Sequence, residues 1–224
     1  MPGLWVPHTK MIYIANPNNP TGTYVSRAEF QAFMERVPED VLVVMDEAYF
    51  EFAREVEDYP HALDAAHPNV LVLRTFSKAY GLAGFRVGYA MGPDRIVSQM
   101  MKTKLTFEPT APAQAAARAA LGDEEFLARS VEMARESRER LYAFFEEEGV
   151  RYLPSISNSV QILLDDARQA EALTQAMLEE GVILRRTGAF GLPEGIRITV
   201  GTPEEMDHLE KSFRKVSQSL EIRP

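Results

Sequence analysis

The stretch Val41-Leu-Val-Val-Met-Asp-Glu-Ala-Tyr49 sets the fold class. Five apolar residues in an unbroken row mark a strand covered on both faces, since a half-exposed strand alternates apolar and polar side chains. Asp46 follows the last of them directly. A carboxylate at that point is costly unless something cationic meets it. Taken singly, it could also be an aspartate that caps the next turn.

Upstream, Lys10-Met-Ile-Tyr-Ile-Ala15 reads as a second strand. It runs into Asn16-Pro-Asn-Asn-Pro-Thr-Gly22, a turn cluster held extended by Pro17 and Pro20. Ser26 and Glu29 then form a capping box, and the helix they open carries Phe30, Phe33, Met34 and Val37 on one face. Downstream, Val70 to Leu73 is a third strand and Phe85 to Met91 a fourth. Strand–helix–strand alternation implies an α/β fold, a mainly parallel sheet with helices on both faces whose ligands bind at the carboxyl edge. Asn19, Asp46 and Lys78 all fall just beyond strand ends, which packing alone does not explain.

The loop after the third strand reads Arg74-Thr-Phe-Ser-Lys-Ala-Tyr-Gly-Leu-Ala-Gly-Phe-Arg-Val-Gly88. Thr75 and Ser77 lie just before Lys78, and Arg86 lies in a stretch loosened by Gly81, Gly84 and Gly88. An amine leaving a buried strand is easily desolvated and becomes a usable nucleophile. Hydroxyls, a guanidinium and glycine-exposed amides suit a phosphate group. Lysine and phosphate cradle together fit pyridoxal phosphate. On this segment alone, a surface lysine beside a glycine turn is the alternative.

Composition narrows the classes. With 224 residues, 46% of them hydrophobic, the chain can bury a core. Its 24 basic and 33 acidic residues give a net charge of −9, which argues against nucleic acid or an anionic membrane as partner. The absence of cysteine excludes disulfides and thiolate metal sites, and the four histidines lack metal-ligand spacing, so no metal is expected. No apolar run reaches the length of a membrane span, and Met1 to Pro7 lacks the basic region of a secretory signal. The expected compartment is the cytoplasm.

The second half reads as a smaller α+β domain. Helices are expected over Gln114–Leu121 and Asp123–Glu148, the latter with Leu127, Val131, Ala134, Leu141 and Phe145 in near-heptad spacing and Gly149 as its stop. Strands are expected at Val160–Leu164, Val182–Leu184 and Ile196–Val200, with a helix from Ala167 to Glu180 ended by Gly181. Thr202-Pro-Glu-Glu205 is a second capping box, whose helix turns Met206, Leu209, Phe213, Val216 and Leu220 inward. The expected division is 8–122 for part of a large domain, 123–148 for a connecting helix and 149–224 for the small domain.

Four motifs now stand in order: Asn16-Pro-Asn-Asn-Pro-Thr-Gly22, Asp46-Glu-Ala-Tyr49, Thr75-Phe-Ser-Lys78 with Arg86, and Ile196-Arg-Ile-Thr-Val-Gly-Thr202. With them the chain resembles the aspartate-aminotransferase superfamily of pyridoxal phosphate enzymes, and within it the histidinol-phosphate aminotransferases, from about Thr9 to Leu220. The resemblance implies that Lys78 binds the cofactor covalently and shuttles a proton. It implies that Asp46 pairs with the pyridinium nitrogen, that Tyr49 and Asn19 hydrogen-bond the ring oxygen, and that Thr75, Ser77 and Arg86 hold the phosphate. Arg197 would receive the substrate carboxylate. Arg185 matches an arginine turned toward a substrate phosphate, so its strand neighbour Arg186 should point the other way, to the surface.

The implied reaction is amino transfer between histidinol phosphate and 2-oxoglutarate, in histidine biosynthesis. The alternatives are an aromatic aminotransferase, a phospho-amino-acid decarboxylase, or, from another class, an inactive remnant that acts as a binding module. The family's portion before the Asn-Pro-Asn-Asn-Pro segment supplies three sheet strands, and it has no counterpart here. The chain therefore reads as N-terminally truncated, with partners expected in a homodimer or in a separate N-terminal fragment that covers its open sheet edges.

Overall fold

A computed structural model describes Val6 and residues 8–64 and 67–220. Met1 to Trp5 and Pro7, part of the segment discussed as a possible signal, lie outside the described residues. The chain folds into two compact units. One holds the residues up to Pro17 together with Tyr24–Ser130; the other holds Asn18–Thr23 together with Val131–Pro224. The Asn18–Thr23 turn thus groups with the second unit, whereas its position in the chain suggested the first.

The first unit is built on strands β1 (Met11–Ala15), β2 (Leu42–Asp46), β3 (Val70–Thr75) and β4 (Gly88–Met91), in that spatial order. β1, β2 and β3 run parallel, and β4 runs antiparallel to β3. The helix α1 (Arg27–Met34) makes the crossover between β1 and β2. It starts where expected: the Ser26 side chain accepts from the Glu29 amide, and Glu29 reaches back to the Ser26 amide. Phe30 and Met34 pack on one face of the sheet with Val43, Met45, Val70 and Val72, and with the partly buried Ile12 and Ile14. Val37 is buried in the same cluster although the helix ends before it. Burying a side chain of this size contributes about 1.5–3 kcal/mol. This cluster therefore fixes the register on which the strand ends depend.

The fourth strand is shorter than its apolar run suggested. Ala83–Phe85 forms a 3-10 turn, Arg86 takes a left-handed conformation at φ 52°, and pairing begins only at Gly88. Four helices complete or leave this unit: α2 (Phe50–Ala53), α3 (Asp94–Thr103), α4 (Ala111–Leu121) and α5 (Glu124–Glu147). Thr110 caps α4 and Pro112 lies in its first turn, so the helix starts three residues before Gln114. Its Ala113 and Ala117 pack against Phe76 and Val87 at the lysine loop. α5 passes into the second unit at Val131.

The second unit holds β5 (Arg151–Leu153), β6 (Ser159–Leu163), α6 (Ala167–Glu179), β7 (Arg185–Arg186), β8 (Gly195–Thr199) and α7 (Pro203–Leu220). Its sheet is antiparallel throughout, in the order β5-β6-β8-β7. Val160, Ile162, Ile196 and Ile198 are fully buried, as are Leu173 and Met177 of α6 and Phe213 of α7. The expected strand at Val182–Leu184 is displaced to Arg185–Arg186. The Val182 amide instead donates to Met177 O, 2.9 Å, closing the end of α6 beyond Gly181, whose φ is 82°. Leu220, expected inward, is exposed, because it falls on the last residue of α7, where the described residues leave it uncovered.

Candidate active site

In the first unit, strand alternation sorts the polar groups by face. Asp46 pairs in register with Leu73, and Tyr13 with Val44. Tyr13, Asp46 and Thr75 therefore share the sheet face opposite the Phe30–Met45 cluster. Among the described residues the Asp46 carboxylate forms no ion pair. Its Oδ2 accepts a hydrogen bond from the Tyr13 hydroxyl, and its Oδ1 accepts from the Ala48 amide at 3.1 Å. Partial burial, and next the Asp46 hydrogen bond and charge, push the Tyr13 phenol up to about 12. Tyr13 was not singled out from the sequence, where an aromatic residue in a strand reads as packing.

Tyr49 is buried one turn beyond β2, and Lys78 Nζ lies 5.3 Å from its ring centroid. The lysine is half-buried, three residues past the end of β3. Around it the loop is tightly folded. The Ser77 amide donates to Thr75 Oγ1 at 3.1 Å. Arg86 Nη1 donates to Ala83 O at 2.9 Å and reaches Ser77 Oγ at 3.5 Å. The left-handed backbone at Arg86 turns its guanidinium back over the loop, next to the Ser77 hydroxyl. Asp46, Tyr49, Thr75, Ser77, Lys78 and Arg86 are thus gathered at the carboxyl ends of two neighbouring strands.

The second unit assembles Asn19, Arg197 and Arg185. Arg197 Nη1 donates to Asn19 Oδ1 at 2.6 Å. The turn that carries Asn19 is pinned at both ends. The Asn18 amide donates to Thr23 O at 2.7 Å, and the Ile156 amide donates to Gly22 O at 3.0 Å. Gly22, at φ 71°, leaves no room for a side chain: a Cβ there would stand 1.9 Å from Ser155 Oγ. The Asn16–Pro17 and Asn19–Pro20 bonds are both cis.

Arg185 pairs in register with Arg197, which pairs in turn with Gln161, so the three share one face of the small sheet. Arg185 is exposed. Arg186 points to the other face, where its Nη1 lies 3.1 Å from Glu171 of α6. It is a half-exposed ion-pair residue rather than a free surface group. Among the described residues no cluster of three or more histidine, aspartate or glutamate side chains is placed to hold a metal ion. No helix among them is long and apolar enough to cross a membrane.

Residues 6–213 match the aminotransferase class I and II family. The chain belongs to that family. Among its relatives, histidinol-phosphate aminotransferase 2 of Carboxydothermus hydrogenoformans is 45% identical over 214 residues, which are 95% of this chain and 59% of the relative. The histidinol-phosphate aminotransferase of Geobacillus thermodenitrificans is 42% identical, over 95% of this chain and 57% of its own length. The crystal structure of histidinol-phosphate aminotransferase from Sinorhizobium meliloti in complex with pyridoxal-5'-phosphate superposes with a TM-score of 0.88 at 34% identity, covering 94% of this chain and 58% of that one. The chain spans a little under three fifths of the length of these relatives. Its first unit is accordingly part of a class I and II aminotransferase large domain, joined to an α+β C-terminal unit.

Proposed function

We propose that this chain carries the lysine-bearing part of a pyridoxal-phosphate-dependent aminotransferase that moves the amino group of histidinol phosphate to 2-oxoglutarate. One observation supports this above the others. Lys78, Asp46 and Tyr49 stand at the carboxyl edge of one sheet beside the Ser77–Arg86 pair. The donor set fits the cofactor. Arg86 and the Ser77 and Thr75 hydroxyls suit a phosphate, and the Asp46 carboxylate suits a protonated ring nitrogen. When bound, the cofactor supplies an electron sink for the charge left when a substrate C–H bond ionises.

The chain's own groups do the rest. The Lys78 amine would accept the proton that leaves the amine-bearing carbon of the substrate and hold it for return. Asp46 would stabilise a positive charge on the cofactor ring, and the buried Tyr49 would offer its hydroxyl to the ring oxygen. Asn19 keeps the same ring-oxygen role by resemblance, Arg197 the substrate carboxylate and Arg185 the substrate phosphate. The same reading places the enzyme in the cytoplasm as a homodimer. The exposed Met11 and Tyr13 on β1, whose outer edge has no strand partner among the described residues, support association there.

The test is glutamate formation from 2-oxoglutarate with the purified chain and pyridoxal phosphate, with histidinol phosphate and phenylalanine compared as donors. Preferential use of histidinol phosphate is expected. Preference for phenylalanine would favour an aromatic aminotransferase, and release of carbon dioxide from a phosphorylated amino acid would favour a decarboxylase.

A further inference from the structure

One buried cluster lies outside the candidate site. Glu47 is fully buried, and its Oε2 accepts from both Nε and Nη2 of Arg74, at 2.9 and 2.8 Å. The Arg74 side chain is itself only 13% exposed, and its guanidinium carbon stands 3.2 Å from the centroid of the Phe50 ring. Glu51, also buried, has no partner for its Oε2 among the described residues. Burial pushes both carboxyl groups upward, and the Arg74 charge opposes it. Two carboxyl groups and one cation out of water are a poor stabilising device, since apolar residues of like size would pack there at lower cost.

The position of the pair says what it does. Glu47 follows Asp46, and Arg74 precedes Thr75. The Glu47 amide donates to Leu73 O at 2.9 Å, extending the β2–β3 ladder one step beyond Asp46. Successive side chains of a strand point to opposite faces. Glu47 and Arg74 are thus locked together on the α1 face, directly behind Asp46 and Thr75 on the other.

We propose that Glu47 and Arg74 are positioning residues, a clamp that fixes the Asp46 carboxylate relative to the Thr75–Lys78 loop. The cofactor half of this inference rests on the proposed function, whereas the aim of Asp46 can be read without any cofactor. A lysine at position 74 keeps the charge but cannot present two donors to one oxygen in that plane.

The experiment compares the parent chain with Arg74→Lys and Glu47→Gln. In the cofactor-free chains, amide exchange is measured at Ala48, which bonds the Asp46 carboxylate, and at Val43, which bonds Asn69 O within the core. In a second series pyridoxal phosphate is titrated, reduced with borohydride, and mapped to Lys78. The clamp predicts that exchange at Ala48 rises about tenfold relative to Val43, and that half-labelling of Lys78 needs about tenfold more cofactor, as for a lost charged hydrogen bond. Equal loss of protection at both amides shows a merely structural pair and overturns the proposal. So does unchanged half-labelling in variants whose parent labels Lys78. If the parent never labels Lys78, the proposed function fails instead, and the Ala48-to-Val43 ratio alone decides the clamp.

Discussion

The two sheets carry their polar groups in different places. In the first, β2 and β3 are apolar until their last residues and place their chemistry at and past the strand ends, at Asp46, Thr75 and Lys78. In the second, one face is a core of Val160, Ile162, Ile196 and Ile198, and the opposite face bears Gln161, Arg197 and Arg185. A parallel sheet buried on both sides has only its ends free for ligands, whereas a two-faced antiparallel sheet can offer a whole surface. The first arrangement concentrates a few groups where backbone and side chains hold them; in the second, Gln161 is buried, Arg197 is held by Asn19, and of the three Arg185 alone is exposed. Substitutions at the strand ends of the first sheet should therefore cost far more than substitution of Arg185.

Asp46→Ala is the sharpest test of that difference. If Asp46 holds charge in the cofactor ring as proposed, its loss should lower the rate of amino transfer about a hundred- to a thousandfold, with part of the cofactor retained. Initial rates and cofactor absorbance measured on the same sample check it. A parental rate would mean that the strand ends are not where the chemistry lies.

At the exposed Arg185 the expected effect is smaller and selective. Arg185→Ala should raise KM for histidinol phosphate about tenfold or more, the scale of a lost charge-assisted hydrogen bond, and change KM for an unphosphorylated analogue much less. Equal changes for both donors would remove the case for a phosphate subsite beside Arg197.

The smallest effect concerns stability. The Tyr13 phenol is raised to about 12, above the ordinary value near 10. A group whose folded value is raised contributes stability that is present below the unfolded value and lost as the pH climbs through the folded one. Denaturation midpoints should therefore fall between about pH 10 and pH 12 in the parent and fall less in Tyr13→Phe. Equal alkaline losses would show that the Tyr13–Asp46 bond makes no difference to folding.

The same contrast explains what the sequence disclosed. Val41 to Met45 is unbroken apolar sequence, so Asp46 after it stands out, and Lys78 stands out through the Thr75 and Ser77 hydroxyls before it and Arg86 in the glycine-loosened loop after it. Tyr13 did not, because its partner Asp46 is 33 residues away and only the β1–β2 register brings the two together. Glu47 and Arg74 were hidden in a similar way, each lying next to a residue that drew the reading. In the second unit Val182-Ile-Leu184 looked like a strand, but Val182 closes the end of α6 and Ile183 is 85% exposed. The helix α3 carries Ile96, Val97, Met100 and Met101 at helical spacing, a signal the reading of the sequence passed over, whereas β5 is three residues long, too short for a periodic one.

The central claim is that the amine at the end of β3 holds the cofactor. The direct test is to incubate the chain with pyridoxal phosphate, reduce with borohydride, digest, and locate the modified lysine by mass spectrometry. The account predicts one labelled peptide, carrying Lys78, and its disappearance in Lys78→Ala. Label on any other lysine, or none at saturating cofactor, would contradict it.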